Sequence, residues 1–219
     1  MKFALSFVVL FATIALVEQR LSGPVRQGKV MLIVTWVMAA AFLAEMAYIM
    51  YQAGRAEGSH FNFATPFTEM MYTTVMAAGA VALVVCIAVI GWIVKRDSDA
   101  DLRPALREAI WLGFLLCFVL TMIVAGYMSF IAERHVGIHP AGAPTILFTG
   151  WSGVVGDLRP AHFASLHIMQ VLPVLALWLD PRGDAQAVRS VRIGAIGYSA
   201  VTLALFVQAM MGLPLIRLG

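Results

Sequence analysis

The residues from Val30 to Met50 carry a single charged side chain, Glu45. As a helix this run rises about 30 Å, the thickness of a bilayer's hydrocarbon core. Its apolar residues occupy every face rather than one stripe, the pattern of a helix surrounded by apolar material. The same pattern recurs at Phe3–Val17, Phe67–Val94, Ala105–Ala132, Arg159–Leu179 and Ile193–Leu215. These six blocks predict an all-α integral membrane bundle of six transmembrane helices. Residues 1–219 then form one transmembrane helical domain, with the remaining length spent on connections.

The first block is the shortest. Glu18 closes it after fifteen residues, so it spans only if Met1, Lys2 and the stem of Glu18 extend it. A cleaved signal peptide is the alternative, though no small-x-small cleavage site follows. In composition, 61% of residues are hydrophobic and 12% charged, against about a quarter charged in soluble domains. The net charge of +3 is spread over loops. No basic surface is concentrated enough to predict a nucleic-acid partner. Cys86 and Cys117 lie inside apolar runs and read as small buried residues. No CxxC or CxxCH occurs, which argues against iron–sulfur clusters and c-type haem.

Loop charge gives an orientation. Lysine and arginine number ten in Glu18–Lys29, Lys95–Arg107 and Asp180–Arg192, and five (Lys2, Arg55, Arg134, Arg159, Arg217) on the other side. The positive-inside rule places the first group in the cytoplasm. Both termini and the connection before Arg159 then lie outside, in the periplasm if this is a bacterial inner membrane. The acidic loop KRDSDADLRP mixes signs and reads as a solvated connector. Asp180-Pro181-Arg182-Gly183 reads as a turn.

This topology brings the chain's polar residues to one membrane face. Glu45, His60 and Glu69 come from the second and third spans and their connection. Glu133, His135 and His139 follow the fourth, and Asp157, Arg159, His162, His167 and Gln170 open the fifth. Such groups are costly in lipid unless paired and tend to face the bundle interior. His162 and His167 are five apart and leave a helix on different faces, whereas His167 and Gln170 share one. Asp157 is placed to cap the fifth helix or to clamp a histidine. His135 and His139 have metal-holding i, i+4 spacing if the helix reaches them. Glu45 and Glu69 are candidate ligands or acid–base groups. The stretch TILFTGW, ending at Trp151, is apolar enough for a short re-entrant or interfacial piece.

The run Gly150-Trp151-Ser152, Gly156-Asp157-Leu158-Arg159, His162-Phe163, Leu166-His167 and Gln170 resembles a signature of uncharacterised polytopic membrane proteins of bacteria. The resemblance covers the last third of the chain by motif and the earlier helices by hydropathy. It implies that these polar residues form a unit, and no particular reaction.

Three functions follow from these residues. The first is a metal-dependent enzyme acting on a lipid or other apolar substrate at the periplasmic face. His162 and His167, with His135 and His139 as further candidates, would hold zinc or iron. Glu45, Glu69, Asp157 and Arg159 would serve catalysis, and Trp151, Gln170 and His60 would support the metal or substrate. The second is a redox protein binding haem b or a quinone. The third is a non-catalytic membrane subunit or small-ligand transporter. Expected partners are the lipid bilayer, a lipid or apolar small molecule, and a membrane-protein partner or second copy. The readings without chemistry are equally concrete: Asp157 and Arg159 pair and cap a helix, His167 and Gln170 tie helices together, and the tryptophans anchor at the interface.

Overall fold

The structure, a computed structural model, describes residues 2–179 and 184–218. Eight α-helices account for most of it: α1 (Lys2–Glu18), α2 (Gly23–Arg26), α3 (Lys29–Gly54), α4 (Pro66–Met70), α5 (Ala77–Arg96), α6 (Pro104–Ile131), α7 (Arg159–Leu179) and α8 (Asp184–Met210). A π-helical stretch, Met71–Met76, joins α4 to α5, making Pro66–Arg96 one continuous rod. Five rods are long and apolar enough to cross a membrane: 29–54, 66–96, 104–131, 159–179 and 185–210. The seventeen-residue α1 falls just short of that length.

The surface of the rods shows what solvent they expect. Along α3 alone, Leu32, Ile33, Trp36 and Leu43 are each more than half exposed. Apolar surface in water costs roughly 25 cal/mol per Å², so a soluble protein would bury such a belt. The chain is a polytopic, all-helical membrane protein whose apolar exterior meets lipid tails.

α6 is the central rod. Ala109, Phe114, Cys117 and Val124 on it are fully buried, and it packs against α5, α7 and α8. Small residues allow the closest approaches. A Cβ at Gly91 would stand 2.7 Å from the Cβ of Phe114, and one at Gly113 would stand 3.1 Å from the Ile168 carbonyl oxygen. Helices in lipid lack a strong hydrophobic drive toward each other, so close backbone contact of this kind supplies the adhesion. Hydroxyls add to it: Thr121 and Ser165 share a bond of 3.1 Å between α6 and α7, and Tyr198 of α8 donates to the Ala164 carbonyl at 3.0 Å.

One end of the bundle is stapled by charge. The Arg20 side chain reaches Asp101 at 3.1 Å, the Asp101 amide donates to the Arg20 carbonyl at 2.8 Å, and Asp97 accepts from the Ser22 amide at 2.8 Å. Arg192 pairs with Glu108 at 2.7 Å. The acidic loop is a solvated connector, as expected, that also fastens to the α1–α2 connection. Lys95 and Arg96 sit over the rings of Trp111 and Trp92 at 4.3 and 4.4 Å, the cation–aromatic pairing of a membrane interface.

Several boundaries differ from the sequence expectation. α8 begins at Asp184, not Ile193, so Arg189 and Arg192 lie on its first turns, where long stems carry the charge outward. It also stops at Met210, because Gly212 takes φ +76° and the Gln208 side chain donates to the Pro214 carbonyl at 2.7 Å. α6 ends at Ile131 on a left-handed Ala132. His135 and His139 therefore follow the helix rather than occupying its i, i+4 face. The expected turn at 180–183 lies outside the described residues.

Candidate functional site

The end opposite the charged staple carries a folded cap made from residues 132–158. His135–Val136 pairs antiparallel with Gly156–Asp157, with His135 opposite Asp157. Inside this ladder Thr145 bridges Ser152, and the apolar stretch between them closes as a tight hairpin with Phe148 at φ +67°. Its tip leaves Leu147 and Phe148 76% and 85% exposed. The C-terminal tail returns to the same place, where the Leu218 amide donates to the Gly153 carbonyl at 2.9 Å.

Asp157 organises the cap. It is 2% exposed and accepts the backbone amides of Ser152 at 2.8 Å and Arg159 at 3.0 Å. The Arg159 guanidinium adds side-chain bonds to both carboxylate oxygens, from Nε at 2.9 and 3.2 Å, and another to the Gly150 carbonyl at 2.8 Å. His135 Nε2 lies 3.6 Å from the same carboxylate, an ion-pair distance rather than a hydrogen bond. Ser152 is equally committed, its hydroxyl oxygen accepting the amides of Val154 and Val155. One carboxylate thus ties strand, hairpin and the start of α7.

The charge states follow from these neighbours. Burial pushes the Asp157 carboxyl upward, but the Arg159 side chain and the two backbone amides outweigh it and hold it below the usual value. Burial holds the His135 imidazole below its ordinary range; Asp157 opposes that, while Arg159, Arg134 and His139 reinforce it. In each case the unfolded cap binds more protons than the folded one across the shifted range, so stability rises with pH there. The melting temperature should fall in two stages on acidification. The first starts near pH 6.5, as His135 charges, and the second below about pH 4, as Asp157 is protonated. Thermal melts of detergent-solubilised protein at stepped pH test this, and His135→Gln should shrink the first stage without removing it, because burial holds His60 below its ordinary range as well. A melting temperature that rises on acidification through the histidine range contradicts it.

The other candidates separate into small groups. His135 and His139 stack with ring centroids 4.6 Å apart. His162, half-buried on α7, lies near enough to His60 for the two to interact electrostatically. His60 itself leans on Tyr72 at 6.2 Å, and the Tyr72 hydroxyl reaches Ser129 on α6. On another side of α7, His167 packs on Phe163 at 4.0 Å, with Trp151 beyond it at 6.0 Å. His167 is within reach of Gln170, which extends to the Thr13 hydroxyl of α1 at 3.5 Å. Glu69 is exposed at the opening of its span, and Glu45 is buried against Gly79. Among the described residues, no three His, Cys, Asp or Glu side chains converge as a metal would require. The proposed metal and catalytic residues share an end of the bundle without sharing a centre.

What that end does offer is an open cleft of about 740 Å³ between the end of α3, the connection 55–65 and α4. Tyr51, Phe61, Phe63 and Phe67 supply aromatic walls, while Gln52, Arg55, Glu57, His60, Asn62 and the threonines Thr65 and Thr68 supply polar ones. A capping box of Thr65 and Thr68, with Pro66 in the first turn, fixes where α4 starts. Arg55 pairs with Glu57 at 2.9 Å along the rim. Residue chemistry in the sequence pointed to His60 nearby, but not to Gln52, Thr68 or Tyr72. Polar residues at 45, 48 and 52, spaced three and four apart within an apolar run, were the available signal. No protein-family model, curated protein or solved structure matches the chain.

Proposed function

We propose that the chain is a small-ligand transporter of the bacterial inner membrane that takes up an amphiphile at its periplasmic end. The cleft carries this reading. Its volume falls within the ordinary range for small-molecule sites, and its aromatic residues beside many polar ones suit an amphiphile whose polar head makes several hydrogen bonds. Gln52 lines it, 1% exposed, with Oε1 lacking a partner, so the favoured head carries a hydroxyl or N–H donor. Six crossings, with α1 as the first, and periplasmic termini agree with the ten-to-five loop charge. The charged staple falls at the arginine-rich end.

Binding of radiolabelled monoacylglycerol to protein in nanodiscs tests the proposal. Saturable binding at one per chain is expected, weakened about tenfold by Gln52→Leu, the worth of one hydrogen bond. Phe61→Asn should weaken it too, since its short polar side chain tolerates the φ of +53° at that position. Label retained no better than by empty nanodiscs, or unchanged affinity in both variants, overturns the reading. The metal-enzyme function would take its place if purified protein retained one zinc or iron per chain and lost it on His162→Ala.

A further inference from the structure

Three buried oxygens on α3 have no hydrogen-bond partner: Glu45 Oε1, Tyr48 Oη and Gln52 Oε1. Their residues are 9%, 5% and 1% exposed. Spacings of three and then four residues put them in a line along one helix face. The orientation of the Gln52 amide is fixed, because Nε2 donates to Glu57 Oε2 at 3.4 Å and to the Gly58 carbonyl at 3.1 Å. Both neighbours are acceptors, so the nitrogen must face them and the oxygen is left over.

The line faces the rod formed by α4, the π stretch and α5. The Tyr48 ring meets Phe67 at 6.4 Å, and a Cβ at Gly79 would stand 2.9 Å from Glu45 Oε1. Gln52 opens onto the cleft, and Glu45 lies seven residues deeper, about 10 Å along the axis. Each unpaired buried oxygen is costly by itself, and three in a row match a file of waters supplying the missing donors. The π turn beside them is a deviation common at functional sites. A lone carboxylate at membrane depth is functional by default.

We propose that Glu45, Tyr48 and Gln52 form a proton-access track, with Glu45 as the proton-binding site at its inner end. A hydronium ion in the cleft passes its proton along the waters. The first water donates to Gln52 Oε1, and the Tyr48 hydroxyl accepts from one neighbour while donating to the next. The arriving proton forms an O–H bond on the Glu45 carboxylate and leaves neutral water behind. Release runs the same exchange backwards. The track needs only water in the cleft, so it stands if no amphiphile binds; a bound head on Gln52 Oε1 would take the place of the first water.

Infrared difference spectroscopy of the protein in nanodiscs, without added amphiphile, tests the proposal. Among the carboxylic C=O bands that appear on acidifying the bulk, one component should shift promptly in D2O and be missing from Glu45→Gln, while those of the other eleven Asp and Glu side chains remain. Gln52→Leu should keep that component and slow its deuterium shift tenfold or more. Gly79→Ala should displace its frequency by crowding Oε1. A titrating envelope that loses no component in Glu45→Gln, no titrating band at all, or an unslowed deuterium shift of that component in Gln52→Leu overturns the proposal. Should Glu45→Gln fail to fold, the shift rate in Gln52→Leu and the frequency in Gly79→Ala decide it.

Discussion

Asp157→Ala is expected to open the cap while leaving the helices inserted. The carboxylate side chain is fully enclosed and the Arg159 side chain is 27% exposed, so the substitution leaves a largely buried guanidinium without its counter-charge. It also strands the amides of Ser152 and Arg159. Breaking one side of a buried pair costs about 3–5 kcal/mol, far above the fraction of a kcal/mol typical of an exposed pair. Chemical denaturation followed by tryptophan fluorescence should register a loss of that size. Amide exchange should accelerate at Ser152, Val154 and Val155 first. The double variant Asp157→Ala with Arg159→Ala should recover part of the loss, because no orphaned charge remains. A loss below about 1 kcal/mol would mean that the pair is solvated, and the cap would then owe its shape to the ladder alone.

Gly156→Ala is expected to be the more severe of two glycine substitutions. The added Cβ would overlap the carbonyl oxygen of Ala209 and stand 2.9 Å from its carbon and 3.1 Å from the Gly212 Cα. All three atoms are backbone, so no side chain can rotate away and the β-ladder must lift from the end of α8. Overpacking costs about 1–3 kcal/mol, and a clash with fixed main chain belongs at the upper end of that range. Gly126→Ala supplies the control. It sits within α6 with nothing inside 4 Å of its Cβ, so it should be neutral or stabilising by up to about 1 kcal/mol. Equal effects in denaturation measurements would contradict the packing of β2 on α8.

The rods were legible because apolar length is a local property. Val30–Met50, Phe67–Val94 and Ala105–Ala132 lie within four residues of α3, the α4–α5 rod and α6 at each boundary, and α7 matches Arg159–Leu179 at both. The end of α8 was not legible. Residues 211–215 are as apolar as those before them, and the stop depends on the Gly212 conformation and on Gln208 bonding forward. The cap was half legible. Asp157 reads as a cap residue from its distance to Arg159, but its pairing with the strand at His135 joins residues twenty-two apart. Where the histidine side chains go was not legible from their proximity in sequence and topology. Gathering at one membrane end does not bring side chains to one point: His162 turns toward the 55–65 connection, while His167 turns toward Phe163 and Gln170. The line at 45, 48 and 52 was visible as spacing, but whether its oxygens find donors depends on the facing rod, which sets Gly79 against Glu45 and Phe67 against Tyr48.

The π stretch at Met71–Met76 amounts to one surplus residue in an otherwise regular rod. It sets the angular phase between the residues below it and those above. Tyr72 can meet the 58–65 connection while Gly79, a few positions later, still presents its bare side to Glu45. Rewinding the stretch as ordinary α-helix with every residue kept would swing everything beyond it by about 100°, carrying Gly79 off that seam and bringing a methyl-bearing neighbour, Ala78 or Ala80, round toward it.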